Sequence, residues 1–306
     1  MDMSKPAIAV IGCGLIGESW SALFLAHGYE VHAWDPDVQV RGRLAERLQR
    51  PLAQLATLYP KNTVPGRLRV HDTLAEAVAR ADLVQENAPE RVPLKRALYS
   101  EIEGVTPSSA IIASSSSAFT WSQLSTEMHT PGRLITAHPF NPPHLVPLVE
   151  LYGVDPEALG RADAIYRDIH RETVRLKKEA IGHIANRLAS ALWREAVHLV
   201  AEGIADVTDI DAALVNGPGL RWSVIGAHMV YHLAGGEGGI EHYLDHLGPS
   251  QERRWEALGS PRLTQEVCAQ LIAGIAEEAA GRSVAELERA RDARLIRMIQ
   301  ARRDEV

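Results

Sequence analysis

The glycine spacing after the first apolar run constrains the fold of this chain more than any other feature. Ala7–Ile11 is continuously apolar, as expected for a strand that is buried on both faces. Gly12-Cys-Gly-Leu-Ile-Gly17 follows directly, and residues 18–27 can continue as a helix. A glycine-rich turn between a buried strand and a helix is typical of α/β folds in which the helix N-terminus binds phosphate groups.

Each glycine of this turn has a separate physical role in a dinucleotide-binding fold. Gly12 permits the tight turn, Gly14 lets the backbone approach a pyrophosphate, and Gly17 lets the helix pack closely on the strand. Leu15 and Ile16 lie within the same loop, so we expect them to contact the cofactor as well. A glycine turn with a purely structural role is the alternative.

An acidic residue follows at the distance that such a site requires. Tyr29–Trp34 is typical of a second short strand, and Asp35 comes directly after it, about 20 residues beyond the glycines. A carboxylate at this point accepts hydrogen bonds from ribose hydroxyls and repels a 2′-phosphate. We therefore expect NAD as the cofactor rather than NADP, with FAD as a remaining alternative.

Strand-like and helix-like segments alternate through the first part of the chain. This alternation predicts an α/β fold with a Rossmann-type, doubly wound and mostly parallel sheet. It fades near residue 176, and from about residue 182 the apolar spacing is helical. We therefore predict a NAD-binding Rossmann domain over 1–182 and an all-helical C-terminal domain over 183–306. The further strand candidates are Arg67–Val70, Asp82–Glu86, Ala110–Ala113 and Arg133–Ala137.

Composition excludes several classes of protein. The 306 residues are 46% hydrophobic and carry a net charge of −7, which argues against nucleic acid as the main partner. Two cysteines are too few for a disulfide framework or a cysteine-rich zinc site. No apolar stretch approaches the ~20 residues of a membrane span, and no secretory signal is visible. We expect a cytoplasmic protein that acts on a small molecule, without a membrane partner.

A proline-rich segment carries the second chemical signal. Residues 137–150 contain four prolines, which make a stiff, non-helical segment after a predicted strand. His138 stands where α/β sheets place their ligand crevice, and a neutral imidazole suits removal of a hydroxyl proton. Glu150 is the candidate carboxylate that would orient the ring. The spacing by itself favours a structural histidine over a catalytic one.

The order of these motifs resembles a known family. The glycine turn, the serine run Ala113–Ser117, the sequence His138-Pro-Phe-Asn-Pro, Glu150 and Asn186-Arg-Leu follow one another along nearly the whole chain. This order is similar to that of the L-3-hydroxyacyl-CoA dehydrogenase superfamily. The resemblance implies a homodimeric NAD-dependent dehydrogenase whose helical domain binds substrate and forms the dimer.

The resemblance also implies roles for individual residues. His138 is expected to be the catalytic base and Glu150 its partner. Ser117 is expected to hydrogen-bond the reacting oxygen, and Asn186 to help hold the substrate. The residues expected to contact the cofactor or line the nicotinamide site are Glu90, Lys95, Ser115 and Asn141.

Within the superfamily, the chain is most similar to the short members that act on free hydroxy acids, the L-carnitine and L-gulonate 3-dehydrogenases with lambda-crystallin. Gly219–Trp222 and Tyr231–Gly239 resemble the carnitine group most. We therefore expect oxidation of the 3-hydroxyl of an L-carnitine-like acid. A gulonate dehydrogenase, a hydroxyacyl-CoA dehydrogenase and a crystallin-like protein that binds NAD without turnover are the alternatives.

Substrate contacts follow from the charges of such an acid. A fixed cation prefers aromatic faces and a carboxylate prefers arginine. The candidates are Phe140, Trp193, Arg221 and Trp222.

Two segments depart from the family's pattern. Ile181-Gly-His-Ile184 stands where Pro-Gly-Phe is common, and Asn186 stands where carnitine dehydrogenases carry Asp.

Two histidine pairs have the spacing of helical metal ligands, His228 with His232 and His242 with His246. No glutamate follows the first histidine as in the metalloprotease motif, and the resembled family uses no metal. We therefore expect no metal site.

Overall fold

One eight-stranded sheet organises the first part of the chain in a computed structural model that describes residues 5–60 and 65–303. The strands are arranged in the order β3-β2-β1-β4-β5-β6-β7-β8, and only the β6–β7 pair is antiparallel. Their bounds are β1 Ile8–Ile11, β2 Val31–Trp34, β3 Leu68–Val70, β4 Leu83–Glu86, β5 Ile111–Ser114, β6 Leu134–Pro139, β7 Leu148–Tyr152 and β8 Glu172–Arg175.

Helices connect the strands and then continue alone to the end of the chain. They are α1 Leu15–Ala26, α2 Val38–Arg47, α3 Gln49–Leu58, α4 Leu74–Val78, α5 Val92–Val105, α6 Trp121–Ser125, α7 Pro156–Asp168, α8 Ala185–Ala201, α9 Val207–Asn216, α10 Pro218–Trp222, α11 Ala227–Ala234, α12 Gly239–Glu256, α13 Gln265–Ala279 and α14 Val284–Arg303.

The sheet has a separate apolar core on each face. Ile8 and Val10 of β1 pack into one core with α1, α2, α3 and α7, whereas Ala9 and Ile11 pack into the other with α4, α5 and α6. Alternate residues of a strand point to opposite faces, so a strand covered by helices on both sides must be apolar throughout. The predicted doubly wound fold followed by a helical region is confirmed.

The chain divides into two compact units. The first runs to Arg187 and includes Asp292–Ala301 of α14, and the second contains Leu188–Arg291. In the first unit Asp292 is buried, and its Oδ2 accepts hydrogen bonds from Arg50 Nη2 at 2.7 Å and Gln54 Nε2 at 2.9 Å. The sequence gives no sign that the last helix returns to the first unit.

The second unit buries few of its large side chains. Those that are buried include Val197, Val207, Val230, Tyr243 and Val267. Its exposed apolar side chains are far more numerous, and they include Leu188, Trp193, Val215, Leu220, Trp222, Val224, Met229, Leu233, Leu244, Trp255, Leu263, Ile272 and Ile275. Patches of this kind on a protein surface are typical of sites that contact a partner.

Within the described residues, none of the helices combines the length and apolar character that crossing a membrane requires.

The buried His27 at the end of α1 predicts acid sensitivity of the first unit. Its Nδ1 hydrogen-bonds Leu23 O at 2.8 Å, and its Nε2 is buried without a hydrogen-bond partner among the described residues. Burial, opposed by the Leu23 hydrogen bond and reinforced by His170, Arg171 and Lys5, lowers the pKa of His27 to about 4. The unfolded chain therefore binds a proton between pH 6.5 and 4 that the folded chain excludes, so this residue destabilises the fold as pH falls through that window.

We expect the free energy of unfolding of His27→Phe to fall less than that of the wild type between pH 7.5 and 5, by about 2 kcal/mol. Urea unfolding at the two pH values measures the difference. Parallel losses in the two proteins would contradict the prediction.

Candidate active site

The glycine turn has the close contacts that its spacing predicts. Gly12 adopts φ +83°, and a Cβ there would lie 2.9 Å from the backbone carbonyl of Asn87. A Cβ on Gly17 would lie 1.9 Å from Gly12 O, so α1 could not begin this close to β1 with any side chain at that position. The first turn of α1 therefore lies directly above the end of β1.

Gly14 differs from the other two because its open side faces no protein atom. A Cβ there would meet nothing within 4 Å, and its φ of −70° suits any residue. Gly14 precedes the first turn of α1, where backbone N–H groups lack acceptors within the helix and the helix dipole favours an anion. The open backbone beside these donors fits the pyrophosphate of a dinucleotide. Leu15 is exposed at the same point, and Ile16 lines the adjoining pocket.

Asp35 lies beside this turn at the carboxyl end of β2. Its Oδ2 accepts the Cys13 N–H at 2.8 Å and its Oδ1 accepts the Asp37 N–H at 2.9 Å. These bonds fix the carboxylate and leave acceptor positions on both oxygens for ribose hydroxyls. Burial, with the charge of Asp35, raises the pKa of the Cys13 thiol to about 12, so Cys13 is a neutral packing residue.

The antiparallel pairing of β6 and β7 explains the spacing of His138 and Glu150. The register places the two residues directly opposite each other, and opposite residues of an antiparallel pair project to the same face. His138 Nδ1 lies 2.9 Å from Glu150 Oε2, and both side chains are buried. Glu150 lies twelve positions after His138, and the intervening hairpin brings this pair together.

The second oxygen of Glu150 binds the start of α8. Oε1 accepts hydrogen bonds from the N–H groups of Ile184 at 2.7 Å and Ala185 at 3.0 Å. Burial alone would raise the pKa of Glu150, but the hydrogen bonds from His138, Ala185 and Ile184 outweigh it and hold that pKa below its ordinary value. Glu150 is therefore anionic near neutral pH, and His138 carries its proton on Nδ1 when the imidazole is neutral.

Asn186 follows in the first turn of α8 and lies on the other side of the imidazole. Its Nδ2 is 3.4 Å from His138 Nε2, the ring nitrogen that faces away from Glu150. The amide group of Asn186 and the lone pair of His138 Nε2 therefore face each other.

A polar cluster holds the serine run at the end of β5. Glu90 accepts from the Ser116 hydroxyl at 2.9 Å, from the Ser117 N–H at 2.7 Å and from the Ser117 hydroxyl at 3.2 Å. Ser115 donates to Asn87 Oδ1 at 2.7 Å. These contacts fix three consecutive serines against the loop that follows β4.

Lys95 is buried beneath the same loop. Its Nζ donates to Glu86 Oε1 at 2.8 Å and to Ala88 O at 2.9 Å. Glu86 Oε2 accepts in turn from the hydroxyls of Tyr99 and Ser114. A buried ion pair is stable only where further hydrogen bonds satisfy both charges, and this one has them.

These residues surround one pocket of about 380 Å³, within the usual size of small-molecule sites. Phe140 and Asn141 contribute from the segment after β6. The pocket is lined by Ile16, Asn87, Ala88, Glu90, Lys95, Ser115, Ser117, His138, Pro139, Phe140, Asn141 and Asn186.

The other substrate candidates belong to the second unit. Trp193 lies on α8 and is 55% exposed, and Trp222 lies at the end of α10 and is 41% exposed. Arg221 precedes Trp222 and is also exposed. Contact of these three side chains with substrate stays a prediction.

Two residues of the site were not predicted from the sequence. Asn87 donates to Ile11 O and Gly12 O while accepting from Ser115, and its position after a buried strand was the available signal. His183 stacks on His138 with ring centroids 4.5 Å apart and an angle of 15° between the planes. The departure of Ile181–Ile184 from Pro-Gly-Phe was the signal at this position, but it does not indicate a contact with His138.

The helical histidine pairs do not form part of a larger ligand cluster. His242 and His246 have ring centroids 4.0 Å apart, and His232 Nδ1 accepts the Ile240 N–H. Over residues 5–60 and 65–303, no three His, Cys, Asp or Glu side chains come together in a way that could hold a metal ion.

Comparison with known families identifies the chain. The model for the NAD binding domain of 3-hydroxyacyl-CoA dehydrogenase matches residues 7–180, and that for the C-terminal domain of 3-hydroxyacyl-CoA dehydrogenase matches residues 182–273. The chain belongs to the 3-hydroxyacyl-CoA dehydrogenase family. It is an NAD-dependent dehydrogenase that acts on a CH–OH group, and the predicted family and cofactor are confirmed.

Several members of this family match the chain over almost its full length. An L-carnitine dehydrogenase of Nocardiopsis dassonvillei is 47% identical over 96% of this chain and 91% of its own. That of Streptomyces griseus is 44% identical over 96% and 89%. That of Bacillus cereus is 40% identical over 96% and 91%.

Solved structures agree with the fold of the family. A 5-formyl-3-hydroxy-2-methylpyridine 4-carboxylic acid 5-dehydrogenase, an NAD⁺-dependent dismutase, is 26% identical with a TM-score of 0.84 and covers 97% of this chain and 99% of its own. The 3-hydroxybutyryl-CoA dehydrogenase of Escherichia coli is also 26% identical, with a TM-score of 0.62, and covers 70% of this chain and 47% of its own.

The open space at Gly14 predicts a separation of binding from folding. Gly14→Ala places a methyl group where the cofactor must approach but where no protein atom lies, so we expect an unchanged melting temperature and an NAD dissociation constant raised about tenfold or more. Thermal unfolding and titration calorimetry measure the two quantities.

Gly42→Ala on α2 is the matched control, because its Cβ also meets nothing within 4 Å. It should leave NAD binding unchanged. Equal NAD affinity in the Gly14→Ala variant and the wild type would show that the cofactor does not approach this backbone.

Proposed function

We propose that this dehydrogenase oxidises the 3-hydroxyl of a small L-3-hydroxy acid to the 3-oxo acid, with L-carnitine as the favoured substrate. The observation that carries the proposal is the buried His138–Glu150 pair, whose second ring nitrogen, Nε2, lies 3.4 Å from Asn186 Nδ2. Relatives named L-carnitine dehydrogenase, at 40–47% identity over nearly the whole chain, support the choice of substrate.

His138 is the general base of this reaction. Because Nδ1 donates its proton to the anionic Glu150, Nε2 carries the lone pair that accepts the proton of the substrate hydroxyl. The imidazolium that forms lies against the Glu150 carboxylate, which stabilises the positive charge. Bound NAD would supply the hydride acceptor for the carbon that carries the hydroxyl, and the C–O single bond would become a carbonyl.

Ser117 and Asn186 hold the reacting oxygen. Asn186 Nδ2 is already directed to the His138 Nε2 side of the pocket. The Ser117 hydroxyl donates to Glu90 Oε1 at 3.2 Å, and it turns from Glu90 to the substrate oxygen when substrate binds. The Ser117 N–H keeps its bond to Glu90, so this rotation leaves the backbone in place.

The cofactor is held at the carboxyl ends of the strands. Gly12 and Gly17 form the turn that lets Gly14 approach the pyrophosphate, with Leu15 and Ile16 beside it. Asp35 binds the adenine-side ribose. The open backbone of Gly14 and the fixed carboxylate of Asp35 support this assignment. Glu90 and Lys95 are further cofactor residues, and Ser115 and Asn141 line the nicotinamide site. That all four line the pocket supports this assignment.

Aromatic and arginine side chains bind the two charged ends of the substrate. We assign Phe140 to the cation, and its position in the pocket lining two residues after His138 supports this assignment. Trp193 and Trp222 are further aromatic partners, and Arg221 is the partner of the carboxylate. The exposure of both indoles leaves their faces available to a cation.

A substrate panel tests the reaction. NADH formation at 340 nm is followed with NAD and L-carnitine, L-gulonate, L-3-hydroxybutyrate or 3-hydroxybutyryl-CoA. We expect turnover with L-carnitine to exceed that with the other three by at least about tenfold, because only carnitine carries the cation. Faster turnover with the thioester or with an uncharged acid would overturn the substrate assignment. No turnover on the panel despite NAD binding would support a protein that binds NAD without catalysis.

Substitution of the base tests the mechanism. We expect His138→Gln to lower kcat by about 10²–10⁴-fold, because an amide cannot accept the hydroxyl proton. The dissociation constant of NAD should change by less than about threefold, since a neutral polar side chain of similar reach replaces the imidazole. Near-normal turnover would exclude His138 as the base.

We propose further that the chain is a cytoplasmic homodimer formed through its helical domain, 183–306. The large apolar side chains exposed on the second unit support dimer formation. Both cysteines are free, as is usual inside cells. Light scattering on the full chain should give a mass near twice 33.5 kDa, and cell fractionation should recover the protein with cytoplasmic markers. A monomeric mass would contradict the homodimer, and recovery with another cell fraction would contradict the cytoplasmic location.

A further inference from the structure

His183 is the one ring that lies flat against the proposed base among the described residues. Its centroid is 4.5 Å from that of His138, and the planes differ by 15°. The His183 side chain is only 3% exposed. Two buried imidazoles are thus stacked in the site, and the mechanism above uses only one of them.

The backbone fixes His183 at this place. His183 has φ 51°, in the left-handed region that non-glycine residues seldom adopt, and Gly182 before it has φ 77°. The next two N–H groups, those of Ile184 and Ala185, bind Glu150 Oε1. The carboxylate that orients His138 therefore also anchors the segment that presents His183.

Hydrogen bonding does not explain the presence of this histidine. His183 Nδ1 is buried and has no hydrogen-bond partner among the residues the structure describes. The contact that the ring does make is through its face, against His138. The ring face is therefore the part of His183 whose contact with the site is visible.

The charges around His183 keep the ring neutral. It is faced by His138 from β6, by Glu150 from β7 and by Glu90 from the loop after β4. Burial and then His138 lower the pKa of His183 to about 4, against the opposite effect of the two carboxylates. At neutral pH an uncharged aromatic face therefore lies against the ring that gains a proton during the reaction.

We propose that His183 is a positioning residue whose neutral ring face holds the His138 imidazole in line with Glu150 and stabilises its protonated form. This inference rests on the proposed function, in which His138 is the base. A cation is attracted to an aromatic face, so the stack raises the proton affinity of His138 relative to a site with an aliphatic side chain at 183. The flat contact also prevents the imidazole from rotating away from Glu150.

Two substitutions separate the ring face from simple packing. His183→Phe keeps a neutral aromatic ring, whereas His183→Leu keeps the apolar volume and excludes water without a ring face. His27 supplies the matched controls, His27→Phe and His27→Leu, because it too is a buried histidine with one unpartnered nitrogen and a pKa lowered to about 4, and it is no part of the site.

Two measurements on the full chain test the proposal. The first is the pH dependence of kcat/KM for the panel substrate that is turned over, from pH 5 to 10. The second is NMR titration of ¹³C-labelled histidine in the free protein, in which the His138 resonance is assigned by its loss in His138→Gln. The second readout needs no turnover, so it reports on the stack even where the panel is inactive.

We expect His183→Leu to lower the pKa of His138 by roughly 0.5–1 unit and kcat by about tenfold, with KM values changed less than about threefold. His183→Phe should keep both kcat and the His138 pKa near the wild-type values. The two His27 variants should leave both unchanged.

The outcomes distinguish the inference from the function on which it rests. If the Leu and Phe variants share the wild-type pKa and kcat, the ring is only packing and the inference is wrong. If both variants lose activity equally, a nitrogen of His183 is required and the ring face is not the cause. If His138→Gln keeps its activity, the proposed function fails, whatever His183 does.

Discussion

The site depends on one buried carboxylate. Glu150 binds the imidazole of His138 through one oxygen and the first N–H groups of α8 through the other. A single anion therefore joins two strands of the sheet to the start of the helical region. Because an uncompensated buried charge is costly, the three hydrogen bonds stabilise one another: loss of any of them would leave the carboxylate under-satisfied. The position of Asn186, one residue after Ala185, follows from the same anchor.

The sheet gathers the remaining groups at one edge. Parallel strands end on the same side, so Asp35, Asn87 and Ser115, which follow β2, β4 and β5, meet above the glycine turn. Beneath them Glu86, Lys95, Tyr99 and Ser114 form a closed hydrogen-bond network that has little contact with solvent. This network supports the loop after β4 from below, and that loop in turn holds the serines that line the pocket.

Local patterns in the sequence carry much of this arrangement. The glycine turn and the buried first strand depend on neighbouring residues, and the structure confirms both. The prolines between β6 and β7 mask the strand pattern of this hairpin. The sequence therefore does not show that His138 and Glu150, twelve positions apart, are paired across two strands. Lys95 was expected to contact the cofactor, and its burial against Glu86 could not be seen, because nothing local marks a lysine as enclosed. Pairs that are distant in sequence, such as Arg50 with Asp292, leave no periodicity at all.

The return of α14 to the first unit has a consequence for the order in which the protein is made. Arg50 and Gln54 are synthesised early, yet their partner Asp292 follows 242 and 238 residues later. Domains generally fold as units during synthesis, beginning with the N-terminal one. Here the sheet can assemble on the ribosome, but the surface of α3 around Arg50 stays uncovered until α14 has been translated. The unit that begins to fold first is therefore completed only when α14 is present. A chain that stops before residue 292 lacks the partner of Arg50 and Gln54.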